Sequence, residues 1–205
     1  QLISEPDLPQ TRVDLGNPKY KGTYVLEPFT TTTEFGILVY PKERWLEILR
    51  SWSAWGPPLM SNQAGIDRMM LGEIKFLPAN AYHVFQIKQK NPKAPIGLAF
   101  FRDLTPQSYV FHVVQKGAKH PNAAKLFALW TTTAEANRIF ENPEYGATPN
   151  EVLGTGPLSK EVSKAVKEKN IKVASWFDSK EALEKLLWYA TEEGSRYGQE
   201  LGKAQ

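Results

Sequence analysis

In the stretch PKERWLEILRSW, Trp45, Ile48, Leu49 and Trp52 fall at i, i+3, i+4 and i+7. That spacing gathers side chains on one face of a helix, so it predicts an amphipathic helix with its tryptophans in a core. The next helix is predicted over SNQAGIDRMMLGE, residues 61–73. Ser61 or Asn62 can cap its start, and Gly72 can end it. His120 and Pro121 begin a third helix, with proline in the first turn where no amide hydrogen is needed. Ala123, Leu126, Phe127 and Trp130 form its apolar stripe. Thr132 and Glu135 have capping-box spacing, which predicts another helix start there. A polar helix is expected near 159–169. A last one follows a second capping box, Asp178 with Glu181, and carries Leu183, Leu186, Leu187 and Ala190 on one face.

Between these helices the apolar residues change rhythm. TYVLEPF (23–29), IKFLPANAYHVF (74–85), PIGLAFF (95–101), SYVFHVVQKG (108–117) and IKVAS (171–175) read as strands, the second running out into a polar turn. In the segment 109–115, Tyr109, Phe111, Val113 and Gln115 share one face, with Val110, His112 and Val114 on the other. Strands alternating with helices predict an α/β fold. Residues 1–22, with Pro6, Pro9, Pro18 and Gly22, read as an extended, turn-rich entry.

Composition narrows the function. The 205 residues suit one large domain or two lobes, and the 41% hydrophobic share is enough for a core. The net charge of +3 is spread over interleaved basic and acidic residues, which gives no stripe for nucleic acid. No apolar run reaches the length of a membrane span. The absence of cysteine excludes disulfides, thiol catalysis and cysteine-based zinc sites. It also fits an exported protein, periplasmic or extracellular. The chain begins at Gln1 without an apolar signal segment, so a removed leader or the cut end of a longer protein is expected.

Catalytic signatures do not appear. His83, His112 and His120 have no partner at metal-ligand spacing, and His112, inside an apolar run, reads as a structural histidine. There is no GxSxG elbow, phosphate loop or GxGxxG, and no spacing singles out a carboxylate pair. A non-catalytic protein is expected. Polar clusters remain where strands end and helices begin: Thr30 to Thr33; Ser61, Asn62 and Gln63; and Asn80 with Tyr82. In open α/β folds ligands collect at such strand ends, and helix N-termini suit anions. Threonine and asparagine are also ordinary caps and turn formers.

Several segments together resemble a known family. DLGNPKYKGTYVLEP resembles the entry into the second lobe of bacterial extracellular solute-binding proteins, in the branch that includes the ferric-iron binding proteins. MMLGEIKFLPANAYHVF resembles another segment of that branch. VVQKGAKHPNAAKLFALWTTTAEANRIF resembles its most specific signature, with Thr131 to Thr133 where a serine-containing turn is usual, and GATPN resembles the loop that follows. The match covers nearly the whole chain.

The resemblance implies a type II periplasmic-binding-protein-like fold, with a mixed sheet flanked by helices and a partial second lobe. It implies residues 1–11 as an entry or hinge, 12–108 with 165–205 as lobe two, and 109–164 as the remainder of lobe one. It further implies a receptor for an ABC importer, which captures a small anionic or polar solute or metal complex in an interlobe cleft and presents it to a membrane permease. The ligand-binding residues carried over are Thr31, Thr32, Thr33, Asn62, Gln63, Asn80 and Tyr82. Relatives in this branch bind ferric iron, with a synergistic anion, through two consecutive tyrosines. Here the pair reads Ala81–Tyr82, which leaves Tyr82 as the one metal-ligand candidate and favours a non-metal ligand, a small anionic or polar organic molecule, with a metal chelate as the other possibility. The first part of lobe one, usual in the family, is not in this chain. Either that part on another chain or a second copy of this one is therefore an expected partner. An enzyme on the same scaffold, or a sensory or interaction module, are the alternative functions.

Overall fold

Helix α1 (Lys42–Ser53) forms where the apolar spacing predicts it, and Trp45, Ile48, Leu49 and Trp52 are all buried. The computed structural model describes residues 3–27, 34–109, 111–142, 156–191, 193–196 and 199. Over these the protein is of mixed α/β class, rich in helix, with a two-stranded parallel sheet. After α1 come α2 (Asn62–Met70), α3 (Ala81–Lys90), β1 (Thr105–Pro106), α4 (Pro121–Trp130), α5 (Ala134–Phe140), α6 (Pro157–Glu168), β2 (Val173–Ala174) and α7 (Lys180–Tyr189). The chain divides into two compact units. The first holds 1–79, 95–108 and 170–205, and the second holds 80–94 and 109–169. The segment 80–94, expected with lobe two, groups with the second unit. No helix among the described residues is long and apolar enough to cross a membrane.

The first unit is built around aromatic rings. Trp45 meets Trp52 edge-on at 5.4 Å and stacks on Tyr40 at 5.8 Å, while Phe35 stacks on Trp176 at 5.2 Å. Gly36 lies so close to the Trp45 ring that a β-carbon there would collide with it. Burying these faces supplies roughly 1.5–3 kcal/mol per large side chain. The three-residue and five-residue 3-10 turns at Arg12–Gly16, Pro18–Tyr20 and Glu34–Leu38 carry further core residues, Leu15, Tyr20, Phe35 and Ile37. Strand pairing is brief: Thr105 faces Val173 and Pro106 faces Ala174, with N–H groups of Thr105 and Gln107 donating to Lys172 and Ala174 carbonyls.

A polar network joins separate passages of this unit. The Arg12 N–H donates to both carboxylate oxygens of Asp103, at 3.1 and 3.2 Å, and the Tyr40 hydroxyl donates to the same carboxylate. The Trp52 indole donates to the Arg12 carbonyl at 3.0 Å. The Arg12 guanidinium is buried over the Phe101 ring. Burial pulls its pKa down to about 10, against the opposing pull of the Asp103 charge.

The second unit has its own buried carboxylate. Glu141, 2% exposed, accepts from the N–H groups of Leu158 and Ser159 in the first turn of α6, and from the Asn137 amide at 3.2 Å. A negative charge there satisfies orphan helix donors and meets the positive end of the helix dipole. Helix α3 packs on α6.

Several expected strands do not form. The run 23–27 makes only single parallel bridges, Tyr24 with Phe76 and Leu26 with Leu59. Residues 95–101 and 111–115 are irregular. Alternation specifies a strand's two faces, but a ladder also needs a neighbour, and these runs lack one in the described chain. The segment after Pro78 is a helix rather than a strand tail, because Asn80 occupies a cap position with extended backbone and Ala81 starts α3. Two caps shift by one residue. Thr133, not Thr132, accepts from Ala136, and Ser179, not Asp178, accepts from Ala182; Asp178 instead accepts from the Ser175 N–H. On α7, Ala182 and Tyr189 are the buried residues, while Leu183 and Leu187 stay exposed. Helix α4 begins at Pro121 as expected, yet no residue of it is buried. His112 is exposed, not a buried structural histidine.

Removing the half-buried Asp103 carboxylate or the buried Glu141 carboxylate is expected to destabilise its own unit. Asp103→Ala and Glu141→Ala should each cost about 1–3 kcal/mol, because the first leaves the Arg12 N–H and the Tyr40 hydroxyl, and the second the Leu158 and Ser159 N–H groups, without an acceptor. Gly36→Ala should cost a similar ~1–3 kcal/mol by overpacking against Trp45. Urea unfolding of the three variants, followed by tryptophan fluorescence and circular dichroism, measures these losses.

Candidate functional site

Helix α2 starts at the end of an extended passage. The Leu26 N–H donates to Pro58 at 3.1 Å, and the Met60 N–H donates back to Leu26 at 2.9 Å. This brings Glu27, at the end of its apolar run, beside the first residue of α2. The Asn62 side-chain amide donates to the Glu27 carboxylate at 2.9 Å. Ser61 caps the helix by accepting from Ala64. Among the described residues, the N–H groups of Asn62 and Gln63 meet no acceptor.

Asn62 is 8% exposed, and its side-chain oxygen is buried without a hydrogen-bond donor. An unpaired buried acceptor of this kind costs about 1–3 kcal/mol. Burial also raises the pKa of the Glu27 carboxyl above its ordinary value. The two observations describe one corner of the first unit. It offers one buried oxygen acceptor without a donor, beside a carboxylate and next to a helix N-terminus whose first amides meet no acceptor. Chemically, it suits a polar group that can both give and receive hydrogen bonds. Glu27 escaped the sequence reading, although a carboxylate closing an apolar run is a visible signal.

The remaining candidates fall on the first unit, on the second unit or outside the described residues. Thr31, Thr32 and Thr33 lie outside the described residues. Gln63 is exposed and donates to Asp67 at 2.9 Å along its own helix, so its amide is engaged locally. Asn80 and Tyr82 belong to the second unit. Asn80 is exposed at the cap position of α3 and makes no side-chain cap bond. Tyr82, 8% exposed, packs in the first turn of α3 with its ring tilted on His83 at 5.2 Å. Burial lowers the His83 pKa. No group of three or more His, Cys, Asp or Glu able to hold a metal occurs among the described residues.

A second concavity in the first unit is lined by Ile37, Val39, Tyr40, Pro41, Lys42 and Lys185. Its two ammonium groups are already engaged. Lys42 sits 3.5 Å over the Trp188 ring, and Lys185 pairs with Glu181 at 2.9 Å.

No protein-family model matches the chain, and no curated protein is significantly similar to it.

The raised Glu27 pKa gives a signed pH prediction. The folded protein holds the Glu27 proton more tightly than the unfolded chain does. The stability this confers is full below the ordinary value of 4.5 and is lost as pH rises through the raised folded value. At neutral pH the charged carboxylate therefore opposes folding. Glu27→Gln, which keeps the acceptor for Asn62, is expected to raise the thermal midpoint at pH 7, with the gain disappearing in acid. Thermal scans of both proteins across that pH range test it.

Proposed function

We propose that the chain is the ligand-binding part of an extracellular solute-binding receptor serving an ABC importer, built on a type II periplasmic-binding-protein-like fold. The motif around KGAKHPNAAKLF carries the family assignment, and Pro121 at the first position of α4 agrees with it. The two compact units, crossed at 79/80, 94/95, 108/109 and 169/170, are what a two-lobed receptor requires. The observation that carries the ligand reading is the Glu27–Asn62 corner, where a buried acceptor is left for a donor the protein does not supply.

The solute is then a small polar molecule bearing both donors and acceptors, rather than a bare anion. Its donors would satisfy the Asn62 and Glu27 oxygens, and its acceptor would meet the amides at the start of α2. Ferric iron is the weaker ligand. Tyr82 is one phenolate, buried in helix packing, and a hard trivalent ion needs several anionic oxygens. Binding without chemistry is the activity, with selection of a closed form by differential affinity as the signal to the permease.

Native mass spectrometry of gently purified protein is expected to find one small polar solute retained. Asn62→Leu should weaken its retention by about tenfold or more, the cost of one hydrogen bond lost and one donor stranded. A protein that carries no solute and gains none from a panel of polar metabolites would defeat this proposal. Ferric loading should give no visible tyrosinate band. A band that vanishes in Tyr82→Phe would replace the organic solute with iron.

A further inference from the structure

The concavity of the first unit that holds Lys42 and Lys185 has a volume of about 310 Å³, at the lower end of the ~300–1,000 Å³ of small-molecule sites. Two stretches far apart in the chain build it, residues 37–42 and α7, and both belong to the first unit. Its carbon surface comes from Ile37, Val39, Tyr40 and Pro41. Ile37 is buried, and Val39 and Tyr40 are half-buried. The Tyr40 hydroxyl is engaged by Asp103 and its ring is stacked on Trp45. This residue is therefore held at two points and brings ring carbon rather than a free hydroxyl.

The two lysines bring the charge, and neither engagement uses it up. The Lys42 ammonium lies 3.5 Å over the Trp188 ring, whose indole N–H donates to Glu193 at 3.2 Å and so holds the ring in place. A ring face attracts a cation without neutralising it. Among the described residues, Lys42 makes no ion pair. Lys185 pairs with Glu181 at 2.9 Å, but the Glu181 side chain is 76% exposed. An exposed pair one helical turn apart is weak, and a competing carboxylate can take its place. We propose that this concavity binds a small organic anion with an apolar body, an aryl or branched-alkyl carboxylate. The body lies on Ile37, Val39 and Tyr40, and the carboxylate turns toward Lys42 and Lys185, where each ammonium donates to it. A bare inorganic anion would meet the charges but leave the carbon surface in water. The site shares no lining residue with the Glu27–Asn62 corner and is independent of the solute reading there.

Phenylacetate is the probe, titrated into the full chain and followed by nuclear magnetic resonance of the backbone amides. A Kd on the order of 1 mM is expected for a ligand of this size. The largest shifts should fall on the lining stretch 37–42 and on α7 around Lys185. Phenylacetamide has the same body without the charge and should bind about five-fold more weakly, or worse. Lys42→Met and Lys185→Met keep the apolar stem and remove the ammonium. Each should weaken phenylacetate about three-fold or more, and the double variant should lose the preference for acid over amide. Circular dichroism checks that the variants fold, and the comparison of the two ligands needs no variant at all. The proposal is overturned if phenylacetate gives no saturable shift, if the amide binds the wild-type chain as well as the acid does, or if the shifts lie away from 37–42 and α7. It is also overturned if inorganic phosphate displaces phenylacetate at equal concentration, which would make this a site for bare anions.

Discussion

The Asp103 carboxylate is the constraint on which the first unit depends. It receives the Arg12 N–H from one passage of the chain and the Tyr40 hydroxyl from another, and it balances a buried guanidinium. Hydrophobic burial drives these passages together but does not fix how they sit against each other. Directional bonds to a charge do, because leaving any of them unmade strands a polar group out of water. The tryptophans then pack in the register this network sets. The Trp52 indole closes the loop by donating to the Arg12 carbonyl, so the aromatic core and the polar network share a residue. Glu141 serves the second unit in the same way, holding the start of α6 from a distant helix.

Local signals in the sequence carried the helices well. The i, i+3, i+4 spacing of α1, the serine at the start of α2 and the proline at the start of α4 each describe a decision made within one or two turns. The strands were less legible, for a physical reason. A run such as PIGLAFF states its own propensity and nothing about its neighbour, and a ladder exists only between neighbours. The shifted caps show a finer limit. Thr132 and Thr133 are chemically equivalent candidates, and only the path of the preceding helix decides which hydroxyl reaches the free N–H. Neither Asp103 nor Glu141 could be found by spacing, since each binds backbone from far along the chain.

The candidate site was legible in part. Asn62 stood out as a polar residue at a helix start, and the structure gives it a buried position and a carboxylate partner. What changed is its polarity. As an isolated helix-start residue, Asn62 suggested an anion site. With Glu27 beside it, the same corner presents acceptors as well as amides, and an anion alone would meet an unfavourable carboxylate there. The raised pKa of Glu27 and the orphan oxygen of Asn62 both weaken the fold at neutral pH. Residues that lower stability where an apolar or neutral replacement would raise it are characteristic of sites kept for binding.

The two units solve the burial problem in opposite ways. In the first, large rings turn inward and meet one another, and the Trp52 indole and Tyr24 hydroxyl among them donate to backbone carbonyls. In the second, the polar groups are equally well served, as Asn137, Glu141 and Ser159 show, but large apolar side chains of 109–115 and α4 turn outward. The second unit is therefore not loosely made; its hydrogen bonding is that of a finished interior. What it lacks is apolar contact at those side chains. A sequence under no demand for burial there would gain solubility from a single lysine or glutamate at 111, 113 or 126. Apolar residues at all three positions have the composition of buried surface rather than of a solvated one.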